Sequence, residues 1–130
     1  MNALVLDAGA LVAVDRGDRG DRATIALLAA ARLAGLSFVT NANVVAQVWR
    51  DDRGRQAVLA RFLHSVDVRP VDDAAGRRAG VLLGASGTAD VVDATVVDLA
   101  VAGDRIVTSD RADLARQLDV DPRAIDIIDC

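Results

Sequence analysis

Asp7, Asp93 and Asp110 are the residues of this 130-residue chain best suited to chemistry. Asp7 closes the apolar run Ala3-Leu4-Val5-Leu6, and Asp110 follows the run Arg105-Ile106-Val107-Thr108. Asp93 lies in the first turns of an apolar helical pattern from Ala89 to Val97. In open parallel sheets, ligands bind outside the carboxyl ends of the strands. Carboxylates gathered there repel one another unless a cation neutralises them. Oxygen ligands without clustered Cys or His favour Mg²⁺ or Mn²⁺ over Zn²⁺. The pattern points to a metal-dependent enzyme acting on phosphates.

The elements that must position these acids alternate between short β-rich runs and helical patterns. Strands are predicted at Ala3–Leu6, Leu36–Val39, Val66–Val68, Arg105–Thr108 and Ile125–Ile128. A short helix starts at Ala10–Val14 and breaks in the polar run Asp15–Asp21, read as a solvated loop. Arg22–Ala34, closed by Gly35, is a second helix. Thr40, Asn41 or Asn43 caps a third that runs to Arg50, and Asp51-Asp52 introduces a fourth, Arg55–Leu63. Asp72 or Asp73 caps a helix to about Leu83. Its glycines Gly76, Gly80 and Gly84 form a one-face stripe, which predicts close backbone packing within the monomer or against a second copy. Ala89–Ala102 forms a helix ending at Gly103, and Ala112–Leu118 another. Such alternation implies an α/β fold, a parallel sheet of about five strands covered on both faces. Residues 1–130 read as a single domain.

Composition narrows the function. All 15 bases are Arg and all 19 acids are Asp, with no Lys and no Glu. Walker-type phosphate loops and Lys-based covalent catalysis are thereby excluded. A net charge of −4 gives no footprint for a passive nucleic-acid-binding module, although a nuclease with acids in its cleft remains compatible. Aromatic residues make up only 2%, which disfavours stacking modules of the RRM or OB type. The lone Cys130 cannot form an intrachain disulfide. No signal peptide or membrane-spanning run is visible, so a soluble cytoplasmic protein is expected.

Four segments carry a resemblance. These are Leu6-Asp7-Ala8-Gly9-Ala10-Leu11, Val44-Val45-Ala46-Gln47-Val48-Trp49-Arg50, Asp90-Val91-Val92-Asp93-Ala94 and Val107-Thr108-Ser109-Asp110. Their order and spacing across nearly the whole chain resemble a PIN domain, and more closely the ribonuclease toxins of the VapC type. The resemblance implies a PIN-like three-layer fold in which Asp7, Asp93 and Asp110 hold one or two Mg²⁺ or Mn²⁺ ions. It also implies a Mg²⁺-dependent endoribonuclease, the toxin of a type II toxin–antitoxin pair. Such a toxin forms a homodimer and is blocked by a small antitoxin protein, and RNA is its substrate. A degenerate domain that binds RNA or a protein partner without cleaving is the alternative.

The chain departs from that pattern at Gln47, where the family places a Glu. A Gln can ligate a hard cation through its carbonyl oxygen but brings no charge. Asp90, three residues before Asp93, shares its helix face and can cap the helix, hold metal, or do both. Asp113, three residues after Asp110, has the same two readings. Thr108 and Ser109 are candidate phosphate donors or caps for the following helix. Arg16, Arg50 and Arg53 are candidate phosphate contacts, with solvated Arg as the simpler reading. His64 falls away from the acidic motifs, and Trp49 reads as core or interface.

Overall fold

Apolar runs too short to span a helix, with Val and Ile concentrated in them, become the strands of one parallel sheet in the computed structural model. Residues 2–19, 21–51 and 53–130 are described, without the Asp18 side chain. The strands are β1 (Ala3–Leu6), β2 (Ser37–Asn41), β3 (Val66–Arg69), β4 (Arg105–Thr108) and β5 (Asp126–Asp129). They stand in the order β3-β2-β1-β4-β5, all parallel. Central β1 is apolar throughout because both its faces are covered: Leu4, Val5 and Leu6 are at most 1% exposed. The two edge strands carry Asp67, Arg69, Asp126 and Asp129, charges that discourage pairing with another chain's edge.

Helices cover the sheet: α1 (Ala8–Arg16), α2 (Arg22–Leu33), α3 (Ala42–Val48), α4 (Ala57–Leu63), α5 (Asp73–Ser86), α6 (Val91–Leu99) and α7 (Arg111–Asp119). The α/β reading and its three-layer arrangement hold. Capping follows the side chains closely. Asn41 accepts from the Val44 amide, Asp72 from Ala75 and Asp21 from Ala23 and Thr24. The core gathers β1, β2 and β4 with Leu11, Leu28, Val44, Val96, Val97 and Leu114. Among the described residues no single helix is long and apolar enough to cross a membrane.

Several expectations need correction. The first helix is longer than predicted: it starts at Ala8 because Asp7 caps it, and it reaches Arg16, where a 3-10 turn at Gly17–Arg19 takes over. Of the supposed loop, only part is irregular, and Gly20 falls outside the described residues. The fourth helix is not introduced by a capping Asp. Gln56 precedes it without a side-chain cap, Asp51 accepts from the Gln56 amide, and Asp52 lies outside the described residues. The sixth helix stops at Leu99 rather than Ala102, because Ala100 turns to extended backbone and the Arg123 guanidinium takes the Ala100 and Val97 carbonyls. The glycine stripe on α5 packs against nothing in the monomer: a Cβ at Gly76, Gly80 or Gly84 would meet open space.

Candidate metal centre

The chain passes from β1 outward through β2 to β3, then returns by α5 and α6 to enter β4 on the other side of β1. That reversal opens a crevice at the carboxyl ends of β1 and β4, where parallel sheets bind ligands. Asp7 leaves the end of β1 and Asp110 follows the end of β4. The backbone ties the two strand ends together, with the Asp7 amide donating to the Val107 carbonyl at 3.0 Å.

Asp7 is 5% exposed and fixed in place. Its Oδ1 accepts from the Ala8 amide at 2.8 Å, and its Oδ2 accepts from the Thr108 hydroxyl at 2.7 Å. The same Thr108 oxygen accepts from the Asp110 amide at 3.0 Å. Thr108 is therefore not a phosphate donor. It is fully buried, its proton is given to Asp7, and it links two of the acids. Asp110 precedes α7, yet its side chain caps nothing and its carboxylate stays exposed.

The tightest group of acids is Asp90, Asp93 and Asp113, each offering a carboxylate oxygen within 4.8 Å of the others. Asp90 caps α6, its Oδ1 accepting from the Asp93 amide at 3.0 Å, so capping leaves its second oxygen available. Asp93 occupies the third position of α6, not the helix interior. A carboxylate is favoured there by the helix dipole, so its position alone is no sign of function. Its environment is. Asp93 is 5% exposed and its Oδ2 is buried without a hydrogen-bond partner. Burial, followed by the charges of Asp90, Asp7, Asp110 and Asp113, pushes its carboxyl up to about 7. All four acids thus surround Asp93, and Asp7 and Asp110 act on it from just outside the tight group. Asp113 has Arg116 at 3.9 Å, a distant and exposed pairing.

This donor set fits a hard divalent cation. It offers oxygen ligands only, an excess of negative charge, and one buried oxygen with no donor to receive. Among the described residues no other group of acids, His or Cys meets the same test.

The remaining candidates divide. Ser109 is exposed at the mouth, beside Gly9. A Cβ at Gly9 would lie 2.6 Å from Ser109 Oγ, so glycine is required for α1 and the β4–α7 turn to approach this closely. Arg16 sits at the other end of nine-residue α1, about 13 Å from its capping Asp7 along the axis, and is not brought to the acids. Gln47 is exposed on α3, and among the described residues its side chain has no hydrogen-bond partner. Arg50 donates to the Ala46 and Trp49 carbonyls and so finishes α3. Trp49 packs against the core, and exposed His64 ends α4 away from the acids.

An apolar groove lies elsewhere. A groove of about 540 Å³ lies among α1, α2 and α4, lined by Val14, Ile25, Leu33, Val58 and Phe62. Arg32 spans its floor, 5.3 Å from the Phe38 ring and 5.6 Å from the Phe62 ring. Its wall is almost wholly apolar, and Leu33 is 91% exposed, which suits a protein segment better than a phosphate.

No protein-family model matches the chain, and no curated protein matches it in sequence. Solved structures do share its fold. A chain in the crystal structure of VapBC2 from Rickettsia felis bound to a DNA fragment from its promoter superimposes with a TM-score of 0.70 at 13% identity, over 98% of this chain and 98% of that one. A chain in the structure of FitAB bound to an IR36 DNA fragment gives 0.65 at 11% identity, over 97% and 94%. At such identities the likeness establishes the fold alone: a PIN-like three-layer arrangement over nearly the whole chain.

Proposed function

We propose that the protein is a cytoplasmic endoribonuclease dependent on Mg²⁺ or Mn²⁺, and the toxin of a type II toxin–antitoxin pair. The observation that carries this reading is the Asp93 carboxylate, buried without a partner for Oδ2 among four further aspartates. A site built for stability would have paired that oxygen. When bound, a divalent cation supplies charge for the phosphodiester oxygens and lowers the pKa of water to a useful range.

Asp90, Asp93 and Asp113 would hold the ion. Asp7 and Asp110 complete the acidic wall: Asp7 is immobilised by Thr108, while exposed Asp110 faces the substrate side. Ser109, beside the start of α7, would donate to a phosphate oxygen. Gln47 contributes at most a neutral amide, so the missing Glu is offset by Asp90 and Asp113. The apolar groove among α1, α2 and α4 is the surface assigned to the antitoxin. The two solved structures named above are both of DNA-bound assemblies. The exposed face of α5, smooth at its glycines and carrying Val81, is the surface left for a homodimer contact.

Asp7→Asn, Asp93→Asn and Asp110→Asn should each lower RNA cleavage by about 100-fold or more while preserving the fold. Wild-type cleavage by two of the three at saturating Mn²⁺ overturns the site. Gln47 favours a second reading, a domain that binds RNA or a partner without cutting. A parent protein that neither binds Mn²⁺ nor cleaves RNA would establish it.

A further inference from the structure

One buried side chain beside the metal centre has an arrangement that stability does not explain. Gln117 lies on α7, is 0% exposed, and leaves its Oε1 without any hydrogen-bond partner. Its Nε2 donates to Thr88 Oγ1 at 3.0 Å and to the Asp90 carbonyl at 3.4 Å. Turning the amide over gives no escape. A carbonyl can only accept, so the nitrogen must face Asp90 and the oxygen must remain unpaired. A methionine would fill similar volume without that orphaned oxygen.

What the amide does hold is the segment that delivers two metal ligands. Asp90 caps α6 and Asp93 lies in its first turn, and the Asp90 carbonyl also accepts the Ala94 amide at 3.2 Å, the first bond of that helix. Thr88 is tied in turn to Ser86 at the end of α5, with their hydroxyls 2.7 Å apart. Asp113, the third ligand, precedes Gln117 by one helical turn and shares its face of α7. A single helix therefore supplies one carboxylate and grips the backbone that carries the other two.

We infer that Gln117 is a positioning residue that fixes the spacing of Asp90 and Asp93 against Asp113, so that the three carboxylates close on one divalent cation. This inference rests on the metal-centre reading above. Partners one shell out from a metal typically change its affinity by about 10–100-fold when removed.

The test is direct Mn²⁺ binding by calorimetry, alongside thermal melting of the metal-free protein. Gln117→Met should raise the Mn²⁺ dissociation constant by about tenfold while Tm stays the same or rises. A residue that merely fills the core would do the reverse, lowering Tm with Mn²⁺ affinity intact, and that result overturns the inference. Should Gln117→Met fail to fold, Thr88→Val decides, because it removes the shorter of the two bonds. Weaker Mn²⁺ binding by that variant supports the role, and unchanged binding overturns it. Absence of Mn²⁺ binding in the parent protein overturns the metal centre and this inference together. Equal binding by parent and variant overturns the inference alone.

Discussion

Asp93 and Asp104 are equally buried, at 5% and 4% exposure, and stand at opposite ends of the sheet. Asp104 lies where β4 begins. Its Oδ1 accepts from the Ala3 amide and its Oδ2 from the Val101 amide, both at 2.9 Å, so it ties the start of β1 to the turn before β4. Each of its oxygens has a donor. Asp93, at the carboxyl end, has an oxygen with none and four like charges around it. Burial alone therefore does not mark a functional carboxylate. One buried Asp completes the backbone's hydrogen bonding, whereas the other needs a proton or a cation.

The largest effect predicted from this contrast is on stability. Asp104→Ala leaves two backbone amides unmatched and should cost about 2–4 kcal/mol, lowering Tm by about 10 °C. Mn²⁺ affinity of the folded fraction should not change. Weakened Mn²⁺ binding would erase the distinction between the two ends.

Asp93 should behave in the opposite sense. Its carboxyl loses a proton near 3.8 when unfolded and near 7 when folded. Between those values the folded state binds more protons, so stability falls as pH rises, and the loss is complete above about 7. Metal-free protein should melt lower at pH 8 than at pH 5.5. Asp93→Asn should remove that slope and stabilise the metal-free protein at pH 8 by about 1–3 kcal/mol. Melting curves with the same slope in parent and variant would place the titration elsewhere.

The smallest effect separates two roles of one side chain. Ser caps a helix about as well as Asp, so Asp90→Ser should change stability by less than about 0.5 kcal/mol. The Mg²⁺ concentration giving half-maximal cleavage should nevertheless rise several-fold. If that concentration does not move, Asp90 is a cap and nothing more.

Much of this was legible in the chain because strand ends are. The run Arg105–Thr108 is the fourth strand residue for residue, and Ala3–Leu6 the first, so Asp7 and Asp110 could be aimed at one crevice from pattern alone. Asp90 and Asp93 followed from their spacing at a helix start. For Thr108 the pattern leaves a phosphate donor and a cap of the next helix open, and only the β1–β4 register shows that its oxygen takes the Asp110 amide while its proton goes to Asp7. What Asp104 and Gln117 hold across the fold leaves no local signal. Their partners at Ala3 and Asp90 are 101 and 27 residues away. Of the two readings of the α5 glycines only packing within the monomer fails, since a smooth helix face does not by itself say which surface it meets.

The bond from Thr108 to Asp7 joins residues 101 positions apart. A polypeptide made from its amino terminus thus carries Asp7 long before Thr108 or Asp113 exists. Until β4 emerges to pair with β1, its acids are scattered along an incomplete sheet and no cation can find them together. Because pairings this distant in sequence are slow to form, the acidic crevice closes only after β4 has been made and has paired with β1.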